Sequence, residues 1–192
     1  MRPSASIARV SSPSTPVADS VRLAWPAESV AIADVQRRVW AAELDPDVAA
    51  EVLAGVGAAE MAAAWEQAIA RPPQARFRVL VAVEESRVVG YATTVPAQDP
   101  DADPAADGEV QEFAVDPPAR HRGHGSRLLN ACADTLRADG FTRARWWVGT
   151  TDDALRRFLT SAGWAADGSS RELGSDDVDV RLRQVRLHTD LS

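Results

Sequence analysis

Residues 111–130 read QEFAVDPPARHRGHGSRLLN, an apolar strand that passes through Pro117 and Pro118 into a loop carrying Arg120, His121, Arg122, Gly123, His124 and Gly125, then opens directly onto a helix. Such a loop stabilises little by itself. Glycine raises the entropic cost of ordering the backbone, and clustered cations repel one another. The order of strand, glycine loop and helix start makes sense around an anion. The first amides of a helix lack partners within the helix, and with the positive end of its dipole they form a ready phosphate site. Gly123 and Gly125 let the backbone approach a ligand closely. Arg120 and Arg122 add guanidinium forks suited to phosphate oxygens. The competing reading is a surface loop with an ordinary helix cap.

The surrounding segments narrow the choice. EVQEFAV (109–115) reads as a strand, GSRLLNACADTLRADGF as a helix ending near Gly140, and ARWWVG (144–149) as a second strand, which is the length of a parallel crossover. DDALRRFLTSAGW follows as a short helix, with Asp152 or Asp153 placed to cap it and Gly163 just past its end. Upstream, VRLAW (21–25) leads to a helix that Pro26 opens and that carries Ile32, Val35, Val39 and Trp40, and a second helical segment from Asp47 to Ala70 breaks near Gly55 and Gly57. FRVLVAVEESRVVGYATTV forms a hairpin turning at Glu85 and Ser86, and AQDPDADPAADG (97–108) is an acidic surface loop free to move. A last strand pair lies near WAADGSSREL and VDVRLRQVRL, the latter alternating from Val178 through Val180 and Leu182. One domain is expected over residues 19–192, after a disordered tail at 1–18 rich in Ser, Pro and Ala.

Composition bounds the partners. No run approaches the roughly 18 to 20 apolar residues of a membrane span. A net charge of −7 disfavours nucleic acid and mildly favours a cationic substrate. With one cysteine, Cys132, and no apolar leader in the first 18 residues, a cytoplasmic location is expected. Cys132 shares a helical face with Leu128, Leu129 and Leu136 and reads as core. No metal site is expected, because the histidines and the cysteine fall at no ligand spacing.

Arg120, Gly123 and Gly125 meet an Arg/Gln, two residues, Gly, one residue, Gly/Ala signature, flanked by FAV with Pro117 beyond it, by Leu128 and Leu129, and by ALRRFLTSAGW. On these residues the chain resembles the GNAT superfamily of acetyl-CoA-dependent N-acetyltransferases over roughly residues 20 to 187. A dinucleotide fingerprint fails on spacing, and a P-loop fails because the chain contains no lysine. The resemblance implies an α/β (α+β) fold. Its central sheet is mixed, mostly antiparallel and of about seven strands, with helices on both faces and a splayed parallel pair at 109–115 and 144–148 forming the CoA cleft. It implies pantetheine running along Phe113, Ala114 and Val115, pyrophosphate on the amides of His121, Arg122, Gly123, His124, Gly125 and Ser126 beside Arg120, and Asp152 and Phe158 completing the cofactor site. The side chains of His121 and His124 are expected in solvent.

Acetyl transfer to nitrogen requires a neutral amine, whereas an alkylammonium of pKa near ~10.4 must first lose a proton. Glu109 and Glu112 are the candidate bases, and a regular strand would send them to opposite faces, although a bulge of the kind common in this family could re-aim either. By its spacing from Val115, Glu109 matches the general base of the histone-acetylating branch. The family's tyrosine that meets the leaving thiolate is replaced by Leu159, placed at a cleft edge, and Tyr91 is the substitute acid to consider. Trp40 is the aromatic candidate for the acceptor side, against a core role, and Trp146 and Trp147 should face opposite ways. The expected activity is direct transfer in a ternary complex to an amine of a small molecule or peptide. Homodimerisation stays open, and the alternative is a non-catalytic CoA-binding regulator on the same fold.

Overall fold

The structure, a computed structural model, describes residues 20–174 and 181–191. The tail expected at 1–18 and the stretch around Val178 and Val180 lie outside the described residues. Seven strands, β1 (Ser20–Leu23), β2 (Arg78–Glu84), β3 (Arg87–Pro96), β4 (Asp107–Val115), β5 (Arg143–Gly149), β6 (Ala165–Leu173) and β7 (Leu182–Asp190), form one sheet in the order β1-β2-β3-β4-β5-β7-β6. β4 and β5 are parallel and every other pair is antiparallel, so the expected mixed sheet is present. The helices are α1 (Ser29–Glu43), α2 (Pro46–Gly55), α3 (Ala58–Ala70), α4 (His124–Ala138) and α5 (Asp153–Ser161).

β2 and β3 are buried along nearly their whole length, as valine-rich strands covered on both faces must be. α4 lays Leu128, Leu129, Cys132 and Leu136 on one face of the sheet, where α5 adds Leu159. α1 and α3 place Ile32, Val35, Met61 and Trp65 on the other. The break between α2 and α3 falls at residues 56–57, beside the two glycines that suggested it. The β2–β3 turn sets both Glu85 (φ 47°) and Ser86 (φ 70°) in the left-handed region, as a two-residue hairpin requires. Asp152 caps α5 by accepting from the Leu155 amide, and Gly163 follows with φ 88°.

Two features position the site. β4 and β5 pair at only three residue positions, ending at Glu109 opposite Arg145, and then part, so the β5-facing backbone groups of β4 from residue 111 onward have no β5 partner. On the α4 side Phe113 of β4 packs on Trp146 of β5 at 5.1 Å and on Phe158 of α5 at 6.3 Å, an aromatic wedge in the fork.

The second feature is a bulge. Ala92 pairs with Phe113 and Thr94 with Val110, so Thr93 alone opposes Gln111 and Glu112. The Glu112 amide, taken out of the ladder, donates to Thr93 Oγ1 at 3.0 Å. The extra residue inverts the alternation of β4. Val110 and Phe113, three apart, both belong to the α4-side core, so Glu109 and Glu112 turn to the opposite face together. Opposite faces would have required a regular strand.

The acidic segment before β4 is not a free loop. Asp107 is fully buried, accepts from Arg143 at 2.8 Å and pairs with Arg145 at 2.7 Å. Asp99 accepts from Trp147 Nε1 at 2.9 Å and Arg186 at 3.1 Å, and Asp101 from both terminal nitrogens of Arg186 at 2.7 Å. Buried Arg145 and Arg186 thus hold the segment down over β5 and β7. Burial works to raise the Asp107 carboxyl, but Arg143, the Asp103 amide and Arg145 hold it below the usual range. The stability it contributes is present above the unfolded carboxyl pKa and is lost as pH falls through the folded one. Removing one member of a buried pair strands the other charge, so Asp107→Ala should lower the unfolding free energy by about 3 kcal/mol or more. Urea denaturation checks this, and a change under about 1 kcal/mol would show that the segment is held by something else.

Candidate functional site

Two cavities are lined by successive stretches of β4. Phe113, Ala114 and Val115 line the first, of about 470 Å³, together with Glu43, Arg120, His121, Gly123, Gly125, Ser126, Asp152 and Phe158. Glu109, Val110, Gln111 and Glu112 line the second, of about 830 Å³, with the 98–101 segment, Trp147, Ser169, Arg171 and Arg186 opposite. The strand passes from one to the other between Glu112 and Phe113.

The glycine loop turns into α4 as its sequence suggested, and it lines the first cavity with His121, Gly123, Gly125 and Ser126 but not with Arg122 or His124. Gly123 precedes α4 with φ 84° and His121 also takes a positive φ of 60°, which turns the chain sharply from the strand end into the helix. The amides of His124, Gly125 and Ser126 open α4 with no carbonyl one turn back to receive them. A β-carbon on Gly125 would meet only Phe158 and Val115, at 3.8 Å, so the position is free of backbone strain and faces the cavity wall.

The arginines play another part. Arg120 donates to the Val115 carbonyl at 3.1 Å and to Glu43 at 2.6 Å, and Arg122 pairs with Glu84 at 2.5 Å. Both guanidiniums therefore brace the loop, and the anion-binding capacity rests on the amides. His124 departs from its expected place in solvent. It is 1% exposed, with Nε2 3.2 Å from Glu84 and Nδ1 3.0 Å from Arg127. Asp116 accepts from Nε and one terminal nitrogen of Arg38 at 2.9 and 2.8 Å, tying the end of β4 to α1.

In the second cavity Glu109 is 7% exposed, and its carboxyl is pushed up to about 7, first by burial and then by the neighbouring Asp99 carboxylate, against the opposing pull of Arg171, Arg145 and Arg186. Glu112 keeps surface open on the cavity wall, and the protein packed around it, by desolvating the charged form, also raises its carboxyl above the usual range. A carboxyl near 7 is half ionised at neutral pH, the condition for taking a proton in one step and returning it in the next. Trp147 faces this cavity and Trp146 the core, as their alternation required.

Three expected residues lie elsewhere. Tyr91 is 2% exposed in the α1-side core, edge-on to Trp65 at 5.0 Å, and lines neither cavity; burial and then the Glu112 and Glu43 carboxylates raise its hydroxyl far above the ordinary value. Trp40 packs against the same core cluster. Leu159 is fully buried beneath α5, not at a cleft edge, and the α5 side chain that reaches the cavity is Phe158. What the sequence did not disclose is the lining supplied by Asp99, Arg171 and Arg186, which stand in three separate segments and come together only in the folded sheet.

Among comparisons with known proteins, the profile of the family described as "Acetyltransferase (GNAT) family" matches residues 51–164. No curated protein matches the sequence significantly. Among solved structures, the N-acetyltransferase from Staphylococcus aureus Mu50 superposes with a TM-score of 0.69 at 17% identity, over 92% of this chain and 100% of that one. The yncA protein of Salmonella typhimurium, with its cofactor acetyl-CoA, gives 0.67 at 20% identity over 92% and 95% of the two chains. The ribosomal-protein-alanine N-acetyltransferase of Brucella melitensis gives 0.67 at 20% identity over 89% and 99%. At such identities the likeness establishes the fold.

Glu109 should titrate near 7 in carboxyl-resolved carbon NMR, and Asp99→Asn should lower that midpoint by removing a like charge. Because the folded protein binds this proton more tightly than the unfolded chain, the Glu109 contribution should make stability fall as pH rises from about 4.5 to about 7. A midpoint at the ordinary value of 4.5 would refute both statements.

Proposed function

Since the chain belongs to the GNAT acetyltransferase family, we propose that it transfers an acetyl group from acetyl-CoA to an amine of a small molecule or peptide, by direct attack within a ternary complex. The observation that carries this reading is that one strand, β4, lines both cavities, with two carboxylates just before the change from one to the other and a strand edge that has no β5 partner just after it.

The cavity beside α4 fits acetyl-CoA. Its amide row suits a pyrophosphate, and the edge of β4 from Phe113 to Val115 suits the amides of a pantetheine arm laid in the fork as an extra strand. When bound, acetyl-CoA supplies the acyl group and a thiolate leaving group. Glu109, directly or through one water, accepts the proton that the acceptor ammonium must lose, and the free amine forms the new C–N bond as the C–S bond breaks. A carboxyl of pKa about 7 lies below the roughly 8.5 of a thiol, so Glu109 gives that proton to the departing thiolate downhill, and the second proton, which the nitrogen sheds on becoming an amide, passes to the carboxylate so freed and from it to solvent. The reading therefore gives Tyr91 no role and needs no tyrosine at 159. Glu112, on the same face, is the second candidate for the base.

Three outcomes are expected. Gly125→Val, which leaves the helix start unstrained, should weaken CoA binding at least about tenfold in calorimetry while the protein stays folded. The kcat/KM for acetyl transfer should rise with pH through about 7 as Glu109 ionises. Glu109→Gln should abolish that inflection and lower turnover by roughly 10²-fold, with acetyl-CoA affinity nearly unchanged. If the variant matches the parent at every pH, the base is Glu112 or solvent. If acetyl-CoA binds but no amine is acetylated, the chain is a CoA-binding regulator.

A further inference from the structure

The larger cavity holds more charge than it leaves free. Asp99 and Asp101 are occupied by Arg186, and Arg186 also bonds Asp167 at 2.6 Å and Ser169 at 2.8 Å. Arg145 is shared between Asp101 and Asp107. Once these pairs are set aside, the ionic groups still available along the wall are the carboxylates of Glu109 and Glu112 and the guanidinium of Arg171.

Arg171 is held in an informative way. It stands on β6, at the edge of the sheet, yet its guanidinium lies 4.3 Å from the centre of the Trp147 ring on β5, having crossed β7, where Gln184 accepts its Nε at 2.7 Å. Among the described residues its two terminal nitrogens make no hydrogen bond or ion pair. A stacked arginine with Nε anchored and both terminal nitrogens open presents a rigid fork, the arrangement that accepts a carboxylate in bidentate fashion. The next strand over from Trp147 carries Glu109. Strands lie about 4.8 Å apart and each hydrogen bond adds about 3 Å of reach, which is the scale of a molecule carrying an amine and a carboxylate on one carbon with a hydrogen bond at either end.

We propose that the acceptor is an amino acid, its amine directed to Glu109 and its carboxylate gripped by the Arg171 fork. This rests on the acetyl-transfer reading and deepens it by naming the substrate class. A polyamine, the other cationic candidate for an acidic protein, leaves Arg171 facing a like charge. Arg171 thus sets specificity, and the uncharged remainder of the acceptor lies along Trp147 and the 98–101 segment.

The test measures thiol release by the full chain with acetyl-CoA, using the common amino acids, their carboxamides and their decarboxylated amines. For the best amino acid, kcat/KM should exceed that of its amide and decarboxylated partner at least about tenfold, the range of a lost charge-assisted hydrogen bond, with the difference mainly in KM. Because Arg171→Gln also removes a charge that favours the ionised form of Glu109, the variant is read as a ratio: kcat/KM for the amino acid over that for its decarboxylated partner should fall to about one across the pH range, with the KM for acetyl-CoA unchanged, and Arg171→Lys should keep part of the preference. Equal rates for matched pairs, a preference for polyamines, or an Arg171→Gln variant that slows both classes alike would overturn the assignment while acetyl transfer stands. Should no amine of any class be acetylated although acetyl-CoA binds, the transfer reading falls and this one with it.

Discussion

Two parallel strands that part after three paired positions leave a row of backbone donors and acceptors facing a gap, and buried polar groups without partners are costly. The gap persists because the flanking groups are committed. Phe113, Trp146 and Phe158 fill the fork on the α4 side, Arg38 and Arg120 hold the end of β4 to α1 and to its own loop, and β5 is fully paired with β7 on its other edge. Closing the strands would break those contacts. An extended ligand would satisfy the open edge at no such cost, and this is why the proposed function lays the pantetheine arm in the fork.

The same strand carries the carboxylates of the proposed chemistry. Its bulge gathers two glutamates on one face, and the docked acidic segment then covers Glu109, which loses most of its water and gains Asp99 as a neighbour. A group that would otherwise ionise well below neutrality is brought to about 7 by surroundings that its own segment helps to make. The folded protein carries that ionisation as a stability penalty near neutral pH, a local conflict of the kind expected where a side chain serves a reaction.

The legible parts of the molecule were those specified by neighbours in sequence. The glycine loop, the caps at Asp152 and Gly163, the break at residues 55–57, and the alternation of Trp146 and Trp147 all express local backbone or face preferences. The bulge was not legible as a fact, because it arises from the register that β4 adopts against β3, and Thr93 is what satisfies the displaced amide. Nor could His124 be placed, since its burial depends on Glu84, forty residues earlier in the chain. The segment 97–106 looked free because its aspartates meet Arg145 and Arg186 only after β5 and β7 have assembled, more than forty residues on. Arg171 is the extreme case: its significance lies in crossing one strand to rest on another, and nothing in the local sequence of β6 announces it.

The central claim is that β4 carries both halves of the reaction and that they meet between Glu112 and Phe113. A crystal structure of the protein with acetyl-CoA tests it most directly. The account predicts the pantetheine arm bonded to the β4 backbone between Phe113 and Val115, the thioester at the junction of the two cavities, and the Glu109 carboxylate facing it across no more than one water. A pantetheine bound outside the fork, or a complex in which the thioester lies out of reach of both Glu109 and Glu112, would contradict it.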